Sequence, residues 1–402
     1  MRVLQLSWGY PPEAYDGAAV SVGELCKGLV GAGIDVAAVS IEPVDGWDGW
    51  ARPAGDRESA VPSSMPVHEE IEGVRATRVP GDRAWEPVVA VAEAFRPEII
   101  HFHEYRDLAL VRHAAGRTGA RVVLTIHELF VDQPGQPGSL TDRQGQTDAI
   151  TLADRIILPS PNAAAHLEYH HPAARDRIRV IGHGFEDSVA AQRAAYARPA
   201  RPDPTLLSCS RISRQKGVDV LLSAVPEILR QAPDSRFLLV GLRDYPRQRR
   251  RVESWLAALP ASLAARVTVR GWQPRPALSE AYAEADIVIV PSRNEIFGLV
   301  TLEAMLHGCA LVASRTDGTA SLLEDGRTGL LVPPGDAAAL VRATLRLIRD
   351  QALRARLGRA AADEARRSHL LAAVAQRMAA VYTELCGCVP GRLAGSPGRR
   401  RR

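Results

Sequence analysis

Residues 287–314 read IVIVPSRNEIFGLVTLEAMLHGCALVAS. A short apolar run (IVIVP, 287–291) ends at a proline, a polar loop follows, an apolar helical stretch covers 298–307, and a second apolar run (ALVAS, 310–314) closes the unit. Short runs rich in β-branched residues suit strands buried on both faces, and a helix between two of them is the crossover of a parallel sheet. The alternation continues upstream through LLSCS (206–210), helix 217–231, FLLVG (237–241), helix 247–258, VTVRG (267–271) and helix 277–284. Downstream, GLLVP (329–333) precedes helical stretches from 336 to about 385.

The first half repeats the pattern with VLQLS (3–7), VAAVS (36–40), IIHF (99–102), VVLTI (122–126) and IIL (156–158), separated in places by helical stretches such as 17–31 and 104–118. The stretch 43–70, with Trp47, Trp50, Gly and Pro residues, reads as a long irregular insertion. Periodicity fades through DSVAAQRAAYARPARPDP, which reads as a linker. A chain of 402 residues exceeds one ordinary core. The expectation is two doubly wound α/β domains, 1–184 and 205–370, joined by a linker at 185–204. Ligands of such sheets bind outside the carboxyl ends of the strands, which places a site in the cleft between the domains.

Composition excludes several classes. The net charge of +4 is supplied by Arg399 to Arg402 alone, at the end of the tail GRLAGSPGRRRR, so the rest of the chain is near neutral. That tail, 389–402, reads as a disordered, solvated end, and no nucleic-acid partner is expected. No run of about 18 apolar residues suggests a membrane span. The N-terminus, MRVLQLSWGYPPE, reads as a strand and not as a signal peptide. Five cysteines at irregular spacing, with no C-x-x-C and no H-E-x-x-H, fit a reducing cytoplasm and no zinc site. Of the 50 basic residues only Lys27 and Lys216 are lysine. Nothing here specifies an oligomeric state.

Chemistry concentrates where strands end. In PSRNEIFGLVTLEAMLHG (291–308) a helix opens near Phe297–Gly298, and its free N–H groups form an anion site that glycine lets a phosphate approach. Glu295 stands in the loop, whereas Glu303 stands in a helix flanked by Leu299, Val300, Leu302, Ala304 and Met305, where a carboxylate needs a partner such as a ribose diol. In CSRISRQKGVD (209–219), Arg211 and Lys216 flank a short loop, an arrangement suited to a diphosphate. In SWGYPPEAYDGAAVS, Pro11 and Pro12 stiffen the exit of the first strand and Gly17 starts the next helix. His127 in LTIHELF, and His101 or His103 in HFHEY, stand at further strand ends facing the cleft.

These residues resemble the retaining glycosyltransferases of family 4, which have the GT-B fold of two facing Rossmann-like domains. The likeness rests on S-R-x-x-x-x-K-G at 210–217, GW…LSEAYAEADIVIVPS at 271–292, E-x-F-G-L-x-x-x-E at 295–303 and EDGRTGLLVPPGD at 324–336. The resemblance implies an acceptor-binding first domain and a nucleotide-sugar-binding second one, with a helix at 371–388 crossing back to the first. It implies that Arg211 and Lys216 neutralise the diphosphate, that Glu303 holds the ribose, and that amides around Phe297, Gly298 and Leu299 take the distal phosphate. Glu295 and His127 would meet the donor sugar, Trp272 and Gln273 the base, and Gly17 the phosphate. Tyr10, Asp16 and His103 are the candidate acceptor contacts.

Three places depart from the family pattern: Gly17-Ala18 for a glycine pair, Gly182-His183-Gly184 for P-N-G, and Asp317-Gly318-Thr319-Ala320-Ser321 for G-G-x-x-E. The chain has no D-x-D, the motif that holds the cation in metal-dependent sugar transferases of the other common fold. Neither a divalent metal nor another cofactor is therefore expected beyond a UDP- or GDP-sugar co-substrate. The acceptor is read as a small molecule: a cyclitol, a thiol or a natural-product precursor. A nucleotide-sugar epimerase or phosphorylase on the same scaffold, or a non-catalytic module anchored by its tail, are the competing readings.

Overall fold

A computed structural model describes residues 1–11, 17–42, 66–81, 84–103, 105, 108–129, 140–196, 203–242 and 246–387. The first half forms β1 (Arg2–Trp8), β2 (Asp35–Glu42), β3 (Val67–Ile71), β4 (Val74–Pro80), β5 (Ile99–Phe102), β6 (Arg121–Thr125), β7 (Arg155–Leu158) and β8 (Ile178–Val180). They make one eight-stranded sheet in the order β3-β4-β2-β1-β5-β6-β7-β8. The second half forms β9 (Thr205–Cys209), β10 (Arg236–Leu242), β11 (Val267–Gly271), β12 (Ile287–Val290), β13 (Ala310–Ser314) and β14 (Leu330–Val332), a parallel sheet ordered β11-β10-β9-β12-β13-β14. Both sheets reverse strand order beside the first strand of their half, which opens the crevice where such sheets hold ligands.

Alternate residues of each strand feed opposite faces. Leu4 and Leu6 of β1 join Ile100 and Phe102 in one core cluster, while Val3 joins Ile99 and Val123 in another. Two helical layers cover each sheet for that reason. Gln5 and His101 interrupt these apolar runs and are themselves fully buried.

Two segments differ from the sequence reading. Part of the stretch 43–70 is β3, an edge strand paired antiparallel to β4 through a turn at Glu72 (φ 51°) and Gly73 (φ 80°). Its VHEEI pattern is half exposed, so it lacks the apolar run of an interior strand. Residues 43–65 lie outside the described residues, as does the tail. The stretch read as a linker contains the helix Val189–Tyr196. Its buried Ala191 and Ala195 carry little hydrophobic signal, yet they allow close packing. A Cβ on Gly308 would stand 2.5 Å from the Ala195 Cα. Arg366 pairs with Asp187 at 2.8 Å and pins the start of this segment to the second half.

The helix Leu371–Cys386 lies on the first sheet, with Val374, Met378, Val381 and Tyr382 in the same cluster as Val3 and Val22. It crosses the helix Gly17–Gly31 at Gly28, where a Cβ would meet Ala375 and Leu371 at 2.9 Å. No helix among the described residues is long and apolar enough to cross a membrane.

Candidate active site

A cleft of about 420 Å³ opens between the carboxyl ends of the two sheets. On the second-sheet side, the loops leaving β9 and β12 touch. Gly217 has φ 66°, and a Cβ there would stand 1.9 Å from the carbonyl oxygen of Pro291, so only glycine fits. This contact sets Lys216 against the next loop, where its Nζ lies 2.6 Å from Glu295 Oε1. Ser292 Oγ donates to the same carboxylate oxygen at 2.9 Å. Arg293 braces the pair of loops by donating to both oxygens of Asp219 at 2.6 and 2.7 Å. That hydrogen-bonded guanidinium holds the Asp219 carboxyl below its ordinary range.

The loop ends at Gly298, the N-cap of the helix Leu299–Leu306, with φ 98°. From the other side Gly318 N–H donates to the Glu295 carbonyl at 2.7 Å, and a Cβ on Gly318 would stand 2.3 Å from the Phe297 nitrogen. The segment 295–298 is thus clamped between two glycines, leaving the first amides of the helix at the cleft. Glu303, one turn further, accepts from Tyr282 Oη at 3.0 Å and faces Arg275 Nη1 at 3.3 Å. Burial raises its carboxyl above the ordinary range, and Arg275 and Tyr282 oppose that rise. Arg275 also lies over the Phe185 ring, 4.4 Å from its centroid, and 3.7 Å from Glu24 of the first half.

The opposite wall is built from histidines. His127 lines the cleft, and its Nε2 lies 3.1 Å from Nδ1 of the buried His103. Its ring stacks on that of His183, with centroids 5.3 Å apart and planes 9° from parallel. His183 in turn meets the edge of Phe297. Burial pushes all of these imidazoles down: His101 to about 3, His183 to about 4, and His103 and His127 well below the ordinary value. The wall is therefore polar and uncharged at neutral pH.

The cleft gathers most of the residues singled out from sequence. Gly17, Arg211, Lys216, Trp272, Gln273, Glu295, Phe297, Gly298, Leu299 and Glu303 all line it together with His127. Gly17 meets the other half directly, since a Cβ there would stand 3.0 Å from Leu299 Cδ1. Of the acceptor candidates, His103 lines the cleft and Tyr10 does not. Tyr10 is 2% exposed and sits in the apolar cluster with Val22 and Cys26, away from the cleft. His103 reaches the cleft wall, but both its ring nitrogens are engaged, by His127 and by Gln5. Asp16 lies outside the described residues. Tyr282, Arg275 and Gln5 were not anticipated. For Tyr282 and Arg275 the available signal was the carboxylate of Glu303, whose apolar setting demanded partners.

Residues 15–189 match the family model described as Glycosyltransferase Family 4, and residues 203–350 match the one described as Glycosyl transferases group 1. The chain is 33% identical over 310 residues to a D-inositol 3-phosphate glycosyltransferase of Acidothermus cellulolyticus, covering 71% of this chain and 68% of that one. In structure it is similar to sucrose-phosphate synthase from Thermosynechococcus elongatus, with a TM-score of 0.75, 24% identity and coverage of 96% and 99% of the two chains. It is also similar to Anabaena HepE in complex with UDP-glucose, with a TM-score of 0.72, 20% identity and coverage of 96% and 100%. The chain is a glycosyltransferase of family 4 with the GT-B fold.

Proposed function

We propose that this chain transfers a sugar, with retention of anomeric configuration, from a UDP- or GDP-sugar to a small-molecule acceptor, without a divalent metal. The observation that carries this reading is the clamped segment 295–298, which sets helix amides, Lys216 and Glu303 along one side of a single cleft. On this reading the ribose diol takes the place of Arg275 beside Glu303 and donates to its carboxylate. The diphosphate lies between the amides of Gly298 and Leu299 and the cations Arg211 and Lys216. Lys216 then exchanges its contact with Glu295 for the departing phosphate, where negative charge develops. Groups fixed in advance where charge develops are usually the largest single catalytic contribution.

Glu295, released from Lys216, faces the reacting sugar from one side and His127 from the other. The base packs near Trp272 and Gln273. That the D-inositol 3-phosphate glycosyltransferase names a cyclitol acceptor, and that HepE was solved with UDP-glucose, supports a small hydroxylated acceptor and a nucleotide-sugar donor. The acceptor would be a cyclitol, a thiol or a natural-product precursor, and the reaction would take place in the cytoplasm. Thermal-shift measurements with UDP, GDP and ADP test the donor side. A nucleotide at 100 times its dissociation constant adds about 2.7 kcal/mol of stability. No shift with any of the three would overturn the reading, as would transfer products of inverted anomeric configuration by proton NMR.

A further inference from the structure

We propose that Gln5 and His103 are positioning residues that hold the proton of His127 on Nε2, so that its Nδ1 lone pair is offered to the cleft as a hydrogen-bond acceptor. The inference deepens the reading above, in which His127 faces the transferred sugar, by assigning it a hydroxyl donor on that sugar as its partner.

The assignment follows from a chain of short contacts beneath the cleft floor. Gln5 is fully buried in β1. Its amide nitrogen lies 3.2 Å from Tyr382 Oη, and its amide oxygen lies 2.7 Å from His103 Nε2. His103 Nδ1 lies 3.1 Å from His127 Nε2. On the other branch, Tyr382 Oη lies 2.6 Å from His101 Nδ1, and His101 Nε2 lies 2.7 Å from Thr125 Oγ1.

A neutral imidazole has one donor and one acceptor nitrogen, so each contact fixes the next. On the branch that reaches His127 only two wirings satisfy every contact with neutral rings, and they are related by a flip of the Gln5 amide. The distances separate them. In the first, Gln5 N–H donates to Tyr382, and 3.2 Å suits an N–H···O bond. In the second, Tyr382 O–H would donate to the Gln5 oxygen, and 3.2 Å is too long for an O–H···O bond. The first also makes the 2.6 Å contact to His101 a phenol donating to an imidazole nitrogen, the natural direction for so short a bond. With that wiring the Gln5 oxygen accepts from His103 Nε2–H, His103 Nδ1 accepts from His127 Nε2–H, and His127 Nδ1 carries no proton. Burial disfavours the imidazolium that would break this sequence.

The test uses the full chain with nitrogen-15 in its histidines. Long-range proton–nitrogen correlation spectra report each tautomer, and a His127→Gln sample identifies the His127 signals. The expected result is a pyrrole-like Nε2 and a pyridine-like Nδ1 for His127; a protonated Nδ1, or an averaged pair, overturns the proposal. Gln5→Glu keeps an acceptor opposite His103 and should keep the tautomer. Gln5→Leu removes it and should release the tautomer and lower kcat/KM by about tenfold or more, the scale of one hydrogen bond turned into an unmatched pair. UDP affinity by calorimetry should change less than about twofold, because the nucleotide lies on the other side of the cleft; an equal loss in both would also overturn the assignment. If Gln5→Leu does not fold, the wild-type spectrum decides alone. If none of UDP, GDP or ADP binds, the donor reading fails while the tautomer measurement still stands.

Discussion

Acid should destabilise the first half of this protein above the pH at which its carboxylates titrate, because buried imidazoles are neutral in the fold. His101 is fully buried, and its pKa is pushed down to about 3 by burial, with His127 adding repulsion. An unfolded histidine titrates near 6.5. A base whose folded pKa is depressed contributes full stability above the unfolded value. That stability falls as the pH drops from about 6.5 toward the folded value, because only the unfolded chain takes up the proton. At pH 5.0 the gap is about 1.5 pH units, and at about 1.36 kcal/mol per unit His101 costs roughly 2 kcal/mol. His103, 3% exposed, is pushed down for the same reason and acts in the same direction. The loss from His101 alone, roughly 2 kcal/mol, is a substantial share of the about 5–15 kcal/mol that holds a typical domain together. His127 and His183 line the cleft and are also pushed down by burial, so they act in the same direction.

Urea denaturation followed by tryptophan fluorescence and circular dichroism at pH 7.5, 6.5, 5.5 and 5.0 measures the effect. Between pH 5 and 6 the slope of stability against pH should correspond to at least about one proton bound on unfolding. His101→Asn should lower that slope by about one proton. A denaturation midpoint that is flat from pH 7.5 to 5.0, or a slope unchanged by His101→Asn, would refute the reasoning.

The site makes further demands that can be measured. Glu303→Gln should weaken nucleotide binding by roughly tenfold, the worth of a hydrogen bond to a charged group, read by calorimetry with UDP, GDP and ADP. Arg275→Leu removes the cation that counters burial around Glu303, so the carboxyl rises further and nucleotide affinity should fall at a higher pH as the solution is acidified; an unchanged pH profile would show that Arg275 does not act on Glu303. Lys216→Ala should weaken donor binding and slow transfer together, whereas Glu295→Gln should spare donor affinity and lose turnover. Activity should survive EDTA, and activity abolished by EDTA and restored by manganese would sink the metal-independent reading. Gly217→Ala should destabilise the second half strongly, because its Cβ would overlap the Pro291 carbonyl at 1.9 Å.

Much of this architecture was legible because most interior strands are short apolar runs separated by helical stretches. The reading faltered where those signals dilute. The edge strand Val67–Ile71 is half exposed, and the helix Val189–Tyr196 packs through alanines. Lys216, Glu295 and Glu303 were visible as charged residues at strand ends or in apolar company. Tyr10 misled for the same reason: an aromatic at a strand exit looks like a cleft residue until the helix Gly17–Gly31 covers it. Gln5 was invisible, since a polar residue within VLQLS carries no spacing that says which partner it meets. That partner, Tyr382, is 377 residues away on a helix that returns from the far end of the chain.

The two walls of the cleft divide their polarity in a way that bears on how the halves cooperate. The second sheet contributes formal charges held by glycine contacts; the described part of the first contributes, beside Glu128, imidazoles kept neutral by burial. Formal charge suits phosphate, and neutral groups of fixed direction suit sugar hydroxyls, whose donors and acceptors must be told apart. The seam between the walls runs through Arg275, which faces Glu303 on its own side and Glu24 on the other. A ribose that takes over Glu303 would free Arg275 for Glu24, whose carboxyl burial already raises and Arg275 lowers. Donor binding would then strengthen the contact between the halves at the seam where Gly17 already meets Leu299.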